Sequence, residues 1–184
     1  MPSPAGFSAL PTTAPQQHRA IHVLPVAACD RAALLELGVH PAQRCYVGLI
    51  DDLLADDLRC PDSEAMAIVH GDTPVGYYRI ERRVRVVTGR DLDQPSLGLR
   101  AFFIDWRWQR RGFGALAMQA LLVDLTVRYP WAAQVALMVN CNNREALALY
   151  RRVGFAGTEE LYHGGRAGPL WLLTRPLSDR FNLT

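Results

Sequence analysis

The stretch 109–115, which reads Gln-Arg-Arg-Gly-Phe-Gly-Ala, joins a run typical of a buried strand to a run typical of an amphipathic helix. The first N–H groups of a helix lack intrahelical acceptors and carry the positive end of the helix dipole, so they bind anions. Gly112 and Gly114 lack the Cβ atoms that would hold a diphosphate away from these amides. Arg110 and Arg111 add positive charge. The stretch therefore predicts a pyrophosphate-binding loop.

Two nucleotide-binding motifs compete for this loop. A P-loop requires Lys followed by Ser or Thr after its last glycine, and no Lys follows Gly112 or Gly114, which excludes triphosphate hydrolysis. The dinucleotide fingerprint G-x-G-x-x-A fits Gly112, Gly114 and Ala117. That fingerprint expects an acidic residue at the end of the next strand, but residues 140–142 read Asn-Cys-Asn. A nicotinamide-dependent oxidoreductase is therefore the weaker alternative.

A second motif, Asn-x-x-Ala-x-x-Leu-Tyr-x-x-x-Gly-Phe, occupies residues 143–155. With Gln-x-x-Gly-x-Gly at 109–114 and one strand between the two motifs, the chain resembles the GNAT superfamily of N-acetyltransferases over its acetyl-coenzyme A binding half. In element order the resemblance extends from about residue 18 to residue 177. The run Phe-Phe-Ile-Asp at 102–105 is similar to that of bacterial polyamine and small-amine acetyltransferases.

The resemblance implies a site for acetyl-coenzyme A and no metal. The amides of residues 110–115 would hold the pyrophosphate, and the backbone of Phe103 and Ile104 would pair with the pantetheine arm like an added strand. Tyr150 matches the family position that donates a proton to the departing sulfur. The residues assigned to the coenzyme are Phe103, Ile104, Gln109, Arg110, Arg111, Gly112, Phe113, Gly114, Ala115 and Asn143.

Some of these residues also have structural explanations. Tyr150 lies on the apolar stripe of its predicted helix, so it is also a candidate core residue, and Asn143 is also a candidate N-cap. The general base is undetermined, because Gly98 occupies the position, eleven residues before Gln109, where histone-modifying relatives carry glutamate. The candidate bases are Glu64, His70, Glu81, Asp105 and His163, and water is the other possibility.

The acceptor is predicted from an acidic helical segment, 47–58. Asp52 and Asp56 share one of its faces, and Leu54 and Leu58 share another. The face is either solvated or an acidic rim for a cationic amine. We expect direct attack, in a ternary complex, by a primary amine of a small cationic molecule such as a polyamine. The alternatives are a protein or peptide amine and a non-catalytic coenzyme A binding regulator.

Composition excludes several classes of protein. The chain has 184 residues, of which 49% are hydrophobic, and a net charge of +2, so it predicts one domain with a core and no nucleic-acid surface. Its four cysteines form no C-x-x-C pair, which argues against zinc or a disulfide framework and favours the cytoplasm. No apolar run is long enough to cross a membrane. Dimers are common among the proteins that the chain resembles, so a homodimer is expected.

The order of elements predicts an α/β fold with one mixed sheet. Residues 1–17 are rich in Pro and predict a disordered tail rather than a signal peptide, which leaves one domain at 18–184. Helices are predicted at 30–37, 47–58, 113–128 and after Asn143; strands are predicted at 18–26, 65–70, 75–82, 97–104, 135–139, 155–162 and 170–174. The resemblance implies the GNAT-like acyl-CoA N-acyltransferase fold, a mostly antiparallel sheet of about six to seven strands flanked by about four helices.

Overall fold

The computed structural model describes residues 20–57, 59–165 and 167–177. The predicted tail at 1–17 lies outside the described residues. The strands are β1 (Ile21–Pro25), β2 (Ser63–His70), β3 (Thr73–Glu81), β4 (Ser96–Ile104), β5 (Gln134–Asn140), β6 (Ala156–Tyr162) and β7 (Leu170–Pro176). The helices are α1 (Arg31–Leu35), α2 (Arg44–Val47), α3 (Ile50–Asp57), α4 (Arg85–Thr88), α5 (Phe113–Arg128) and α6 (Arg144–Arg152).

The strands of the described residues form one seven-stranded sheet in the order β1-β2-β3-β4-β5-β7-β6. Neighbouring strands are antiparallel except β4 and β5. The predicted mixed α/β fold with a mostly antiparallel sheet is therefore confirmed. Within the described ranges no helix is both long and apolar enough to cross a bilayer.

Two hydrophobic cores lie on opposite faces of the sheet. On one face, α5 buries Met118, Leu121 and Leu125, the stripe that its helical spacing predicts, and α6 adds Leu147 and Tyr150. The other face is covered by the short helices α1 and α3. Because the helices cover both faces, the parallel pair β4 and β5 is central and buried.

The parallel pairing of β4 with β5 ends early, at Leu99 opposite Leu137. On its other side β4 carries a bulge, because Arg79 pairs with Arg100 while Tyr77 pairs with Phe103, which leaves one extra residue in β4. Ala101, inside the bulge, has a φ of 52°. A bulge bends its strand and increases the local twist. The second half of β4 therefore separates from β5, and a cleft opens between them.

Two predicted boundaries differ from the structure. The predicted helix at 47–58 is divided, because Gly48, with a φ of 91°, ends α2 before α3 begins at Ile50. Leu58 lies outside the described residues. Between β3 and β4, where no helix is predicted, the structure has the short helix α4, which Gly89 ends in the left-handed conformation. Both differences have the same cause. A glycine ends each four-residue helix, and four residues are too few to show a helical repeat of apolar positions in the sequence.

Candidate active site

The cleft between β4 and β5 contains two cavities that meet at Tyr150. The first has a volume of about 280 Å³ and is lined by Val39, Gln43, Tyr46, Val47, Phe102, Phe103, Ile104, Gln109, Arg110, Gly114, Asn143, Glu145, Ala146, Leu149 and Tyr150. The second, of about 260 Å³, extends toward β5 and the β6–β7 connection. Tyr46, Val47, Phe102, Asn143, Ala146 and Tyr150 line both cavities. The two cavities thus form one continuous cleft.

The predicted pyrophosphate loop has an unusual backbone. Arg110 and Gly112 both have positive φ angles, 61° and 80°, which is rare for arginine and costs roughly 1 kcal/mol or more. The amide of Ala115 donates to the carbonyl of Gly112 at 3.1 Å. The amides of residues 110–114 have no acceptor among the described residues. The Ala115 amide is thus already bonded. The five backbone amides at 110–114 are available to an anion.

The arginine side chains of the loop remain at the surface. The Arg110 side chain is 90% exposed, and its guanidinium lies 3.6 Å from the carboxylate of Glu145 in the first turn of α6. An exposed ion pair of this kind contributes little to stability, so the guanidinium is easily redirected. Arg111 lies over the ring of Trp108, 5.3 Å from its centroid. Both charges can reach an anion at the loop without desolvation of a buried group.

Gln109 connects the loop to the rest of the cleft. Its amide nitrogen donates to the carbonyl of Ile104 at 2.9 Å and to the side-chain oxygen of Gln43 at 3.0 Å. These bonds fix the loop to the end of β4 and to the segment that precedes α2. In this structure the Gln109 side chain positions the loop, and its predicted contact with the coenzyme stays a prediction.

Phe103 and Ile104 lie on the half of β4 that does not pair with β5. Both pair with β3 on one side, at Tyr77 and Gly76, whereas β5 pairs with β4 only as far as Leu99. The β5-facing edge of the strand is therefore open to an extended group. This is the geometry that the predicted pairing with a pantetheine arm requires.

Asn143 and Tyr150 lie at the two ends of one wall. The side-chain oxygen of Asn143 accepts from the Ala146 amide at 3.2 Å, so its predicted N-cap role is confirmed. Tyr150 is only 8% exposed, and its ring packs against Phe102 and Phe155. Its hydroxyl bonds no other described residue. Burial raises the pKa of Tyr150 above its ordinary value, which keeps the hydroxyl protonated.

The Acetyltransferase (GNAT) family model matches residues 39–155, more than half of the chain. The protein belongs to this family. A spermine/spermidine N(1)-acetyltransferase of Bacillus subtilis is 29% identical to it over 147 residues, which cover 79% of this chain and 93% of that protein.

Solved structures with the same fold include enzymes with different acceptors. The spermidine N-acetyltransferase from Vibrio cholerae, in complex with CoA and spermine, gives a TM-score of 0.63 at 15% identity, covering 86% of this chain and 96% of that one. The ribosomal-protein-S18-alanine N-acetyltransferase from Escherichia coli gives 0.60 at 16% identity, covering 89% and 98%. The family match and these relatives confirm the prediction of an acetyl-CoA-dependent N-acetyltransferase.

None of the five predicted candidate bases of the acetyltransferase lines either cavity. Glu64 pairs with Arg82 and Arg128 at the C-terminal end of α5, away from the loop. His70 packs against the rings of Trp108 and Phe113. His163 is exposed. Within the described residues the only carboxylate that lines the cavities belongs to Glu145, in the first turn of α6 beside Arg110.

The remaining two candidates are held by structural contacts. Glu81 is buried and accepts a hydrogen bond from Ser63. Asp105 is fully buried, and its two oxygens accept from the Gly38 amide at 2.9 Å and from the backbone and side chain of Arg107. With both oxygens in use, Asp105 stabilises the turn that leads into the loop and is poorly placed to take a proton from an amine.

Sequence reasoning missed the wall that faces Tyr150. Tyr46 and Val47 line the cleft from α2, Gln43 lines it from the position before α2, and Arg100 lines it from β4 just before the bulge. A four-residue helix shows no periodicity, and nothing in the residue types near 101 marks a bulge. These positions become visible only when β4 and α2 are brought together.

Replacing Asp105 with Ala should lower the free energy of unfolding by about 2–4 kcal/mol, because it leaves the half-buried Gly38 amide without its acceptor and removes the buried carboxylate that pairs with Arg107. Urea denaturation measures this change. Asp93→Ala, at an exposed carboxylate without an ion pair among the described residues, is the matched control and should change stability by less than about 0.5 kcal/mol. Equal stability of the two variants would contradict the structural role of Asp105.

Proposed function

We propose that this acetyltransferase transfers the acetyl group of acetyl-CoA to a primary amine of a small polyamine. The observation that carries the proposal is the similarity to the spermine/spermidine N(1)-acetyltransferase, which spans 79% of the chain. The cleft supports it, because the two cavities meeting at Tyr150 give the two substrates separate approaches to one point. Direct attack in a ternary complex needs such an arrangement.

The first cavity is the coenzyme side in this proposal. The free amides of residues 110–114, aided by Arg110 and Arg111, bind the pyrophosphate at the positive end of α5. The open edge of β4 at Phe103 and Ile104 pairs with the extended arm. Bound acetyl-CoA supplies an activated acyl carbon. Asn143 remains an assigned coenzyme contact through its position in both cavities.

The second cavity is the acceptor side. The neutral amine attacks the acyl carbon, the carbon–sulfur bond breaks, and the Tyr150 hydroxyl gives its proton to the departing thiolate. The attacking nitrogen loses its own proton to water, since no carboxylate or histidine lines this cavity among the described residues. Tyr150 is later reprotonated from solvent, which completes the proton balance.

The acidic helix α3 lies next to the acceptor side. Val47 lines both cavities, and α3 begins three residues later with Asp51 and Asp52 in its first turn. Asp56 is bonded to arginines, whereas Asp51 and Asp52 are exposed and have no ion pair among the described residues. Their charge supports an acidic rim that attracts the distal ammonium groups of a polyamine.

The proposal is tested by thiol release from acetyl-CoA with spermidine, spermine, amino acids and peptides. We expect acceptor-dependent release of coenzyme A thiol with the polyamines. Their kcat/KM should lie within the usual range for enzymes and be at least about tenfold above the value for peptides. A preference for peptide amines would replace the polyamine acceptor by a protein acceptor. Coenzyme binding without release for any amine would contradict the transferase assignment altogether.

Tyr150→Phe should lower kcat roughly a hundredfold with little change in coenzyme affinity, because it removes only the proton donor. Since burial raises the pKa of Tyr150, wild-type kcat should not fall as the pH passes about 10, where an ordinary tyrosine loses its proton. Steady-state kinetics across this range measure both effects. Tyr162→Phe, at an exposed tyrosine, is the control. Unaltered kcat in Tyr150→Phe would remove the acid role.

Asp52→Asn should raise the KM for spermidine about two- to fivefold and leave kcat unchanged, since an exposed ionic contact contributes little. Added salt should reduce the difference between variant and wild type because it screens exposed charges. Asp93→Asn, which removes an exposed charge from the loop before β4, is the matched control. The same KM in wild type and Asp52→Asn at low salt would exclude the acidic rim.

A further inference from the structure

The first cavity has two charged side chains in its wall, one of each sign. Arg110 belongs to the loop at 109–115, and Glu145 lies in the first turn of α6. The Arg110 guanidinium is 3.6 Å from one oxygen of the Glu145 carboxylate, and the side-chain amide of Gln43 donates to the other oxygen at 3.4 Å. Among the described residues no further charged side chain lines this cavity. The charges of its lining therefore cancel.

Glu145 connects the two sides of the cleft. Because α6 follows β5 and the loop at 109–115 follows β4, the contact between Arg110 and Glu145 spans the gap between these strands. Gln43 bonds both Glu145 and Gln109, so the segment before α2 belongs to the same group of contacts. The carboxylate thus lies beside the loop to which the proposed function assigns the pyrophosphate.

Glu145 also has a structural explanation, which the test must separate from a role in binding. A carboxylate in the first turn of a helix is stabilised by the positive end of the helix dipole. However, Asn143 already caps α6, since its side-chain oxygen accepts from the Ala146 amide at 3.2 Å. The side chains of Arg110 and Glu145 are 90% and 70% exposed, and an ion pair between such side chains contributes little to folding. Stability of α6 thus depends little on Glu145.

A carboxylate in this position opposes the binding of phosphate in two ways. Arg110 must exchange its contact with Glu145 for a contact with phosphate, and the negative charge of Glu145 repels the phosphate groups. Since both side chains are exposed, water screens these interactions, and their combined effect on affinity should be about three- to tenfold. The effect applies to acetyl-CoA and to the product coenzyme A alike, because both carry the same phosphates.

We propose that Glu145 is an internal competitor of the coenzyme phosphates, which weakens coenzyme binding and hastens the release of coenzyme A after transfer. The proposal rests on the proposed function, which places the coenzyme in the first cavity. It adds a residue whose charge acts against binding at that site. Differences in affinity within one site arise mostly in the dissociation rate, so the release of the product is the step that Glu145 changes most.

The test compares wild type with Glu145→Gln, which nearly preserves the size of the side chain and removes its charge. At low ionic strength the Kd for coenzyme A, measured by isothermal titration calorimetry, should fall about three- to tenfold. The dissociation rate, measured by surface plasmon resonance, should fall by a similar factor. Added salt should reduce the difference between variant and wild type. A purely structural Glu145 predicts the opposite sign, because a loosened α6 would weaken binding.

Three further variants identify the cause of the change. Glu145→Asp keeps the negative charge and should bind coenzyme A more weakly than Glu145→Gln. Asp93→Asn removes an exposed carboxylate from the loop before β4 and is the control for net charge; it should change the Kd by less than about twofold. In an Arg110→Gln background the gain from Glu145→Gln should be smaller, because no guanidinium is released. An undiminished gain there would overturn the competition for Arg110.

The comparison of wild type with Glu145→Gln decides the proposal. An unchanged or higher Kd in the variant, with folding verified by thermal unfolding, would overturn it and leave the proposed transferase intact. Failure of wild type to bind coenzyme A would overturn the proposed function together with this inference. The two failures are therefore distinguishable.

Discussion

The separation of β4 from β5 is the constraint on which the site depends. Two parallel strands at the centre of a sheet normally pair along their full length, because unpaired buried backbone groups are costly. Here the pairing stops at Leu99, and the bulge at Ala101 turns the rest of β4 away. The unpaired edge that remains is stable only where water or an extended ligand reaches it. The separation thus creates the cleft that both cavities occupy.

The cleft is held open by contacts between segments that are distant in sequence. The Asp105 carboxylate accepts from the Gly38 amide, and the Gly38 carbonyl in turn accepts from the amide of Trp106. Gln43 and Gln109 exchange hydrogen bonds through their side-chain amides. These bonds connect the segment before α2 to the loop that begins α5. The segment before α2 and the loop at 109–115 are therefore joined by hydrogen bonds, and a substitution in one should alter the position of the other.

Local signals in the sequence predicted the coenzyme half well. The helical spacing of Met118, Leu121 and Leu125 and the Asn143 cap are determined by residues close in the chain, so α5 and α6 have nearly their predicted bounds. The acceptor half was not predictable in the same way. A positive φ at Ala101 has no residue-type signal, and Tyr46 lines the cleft only because folding brings a four-residue helix to β4. Which residues meet across the cleft is a tertiary property.

The geometry also gives a physical reason for the absence of an obvious base. Gly98 lies directly opposite Glu81 on β3, so a carboxylate does occupy this neighbourhood, but on the adjacent strand. Ser63 and Arg100 hold that carboxylate below the cavity wall, and the charge that the cavity contacts is the guanidinium. The carboxylate opposite Gly98 is therefore already bonded, and no described carboxylate lines the second cavity. In the proposed mechanism the amine proton leaves through water for this reason, and Tyr150 is the proposed donor to sulfur.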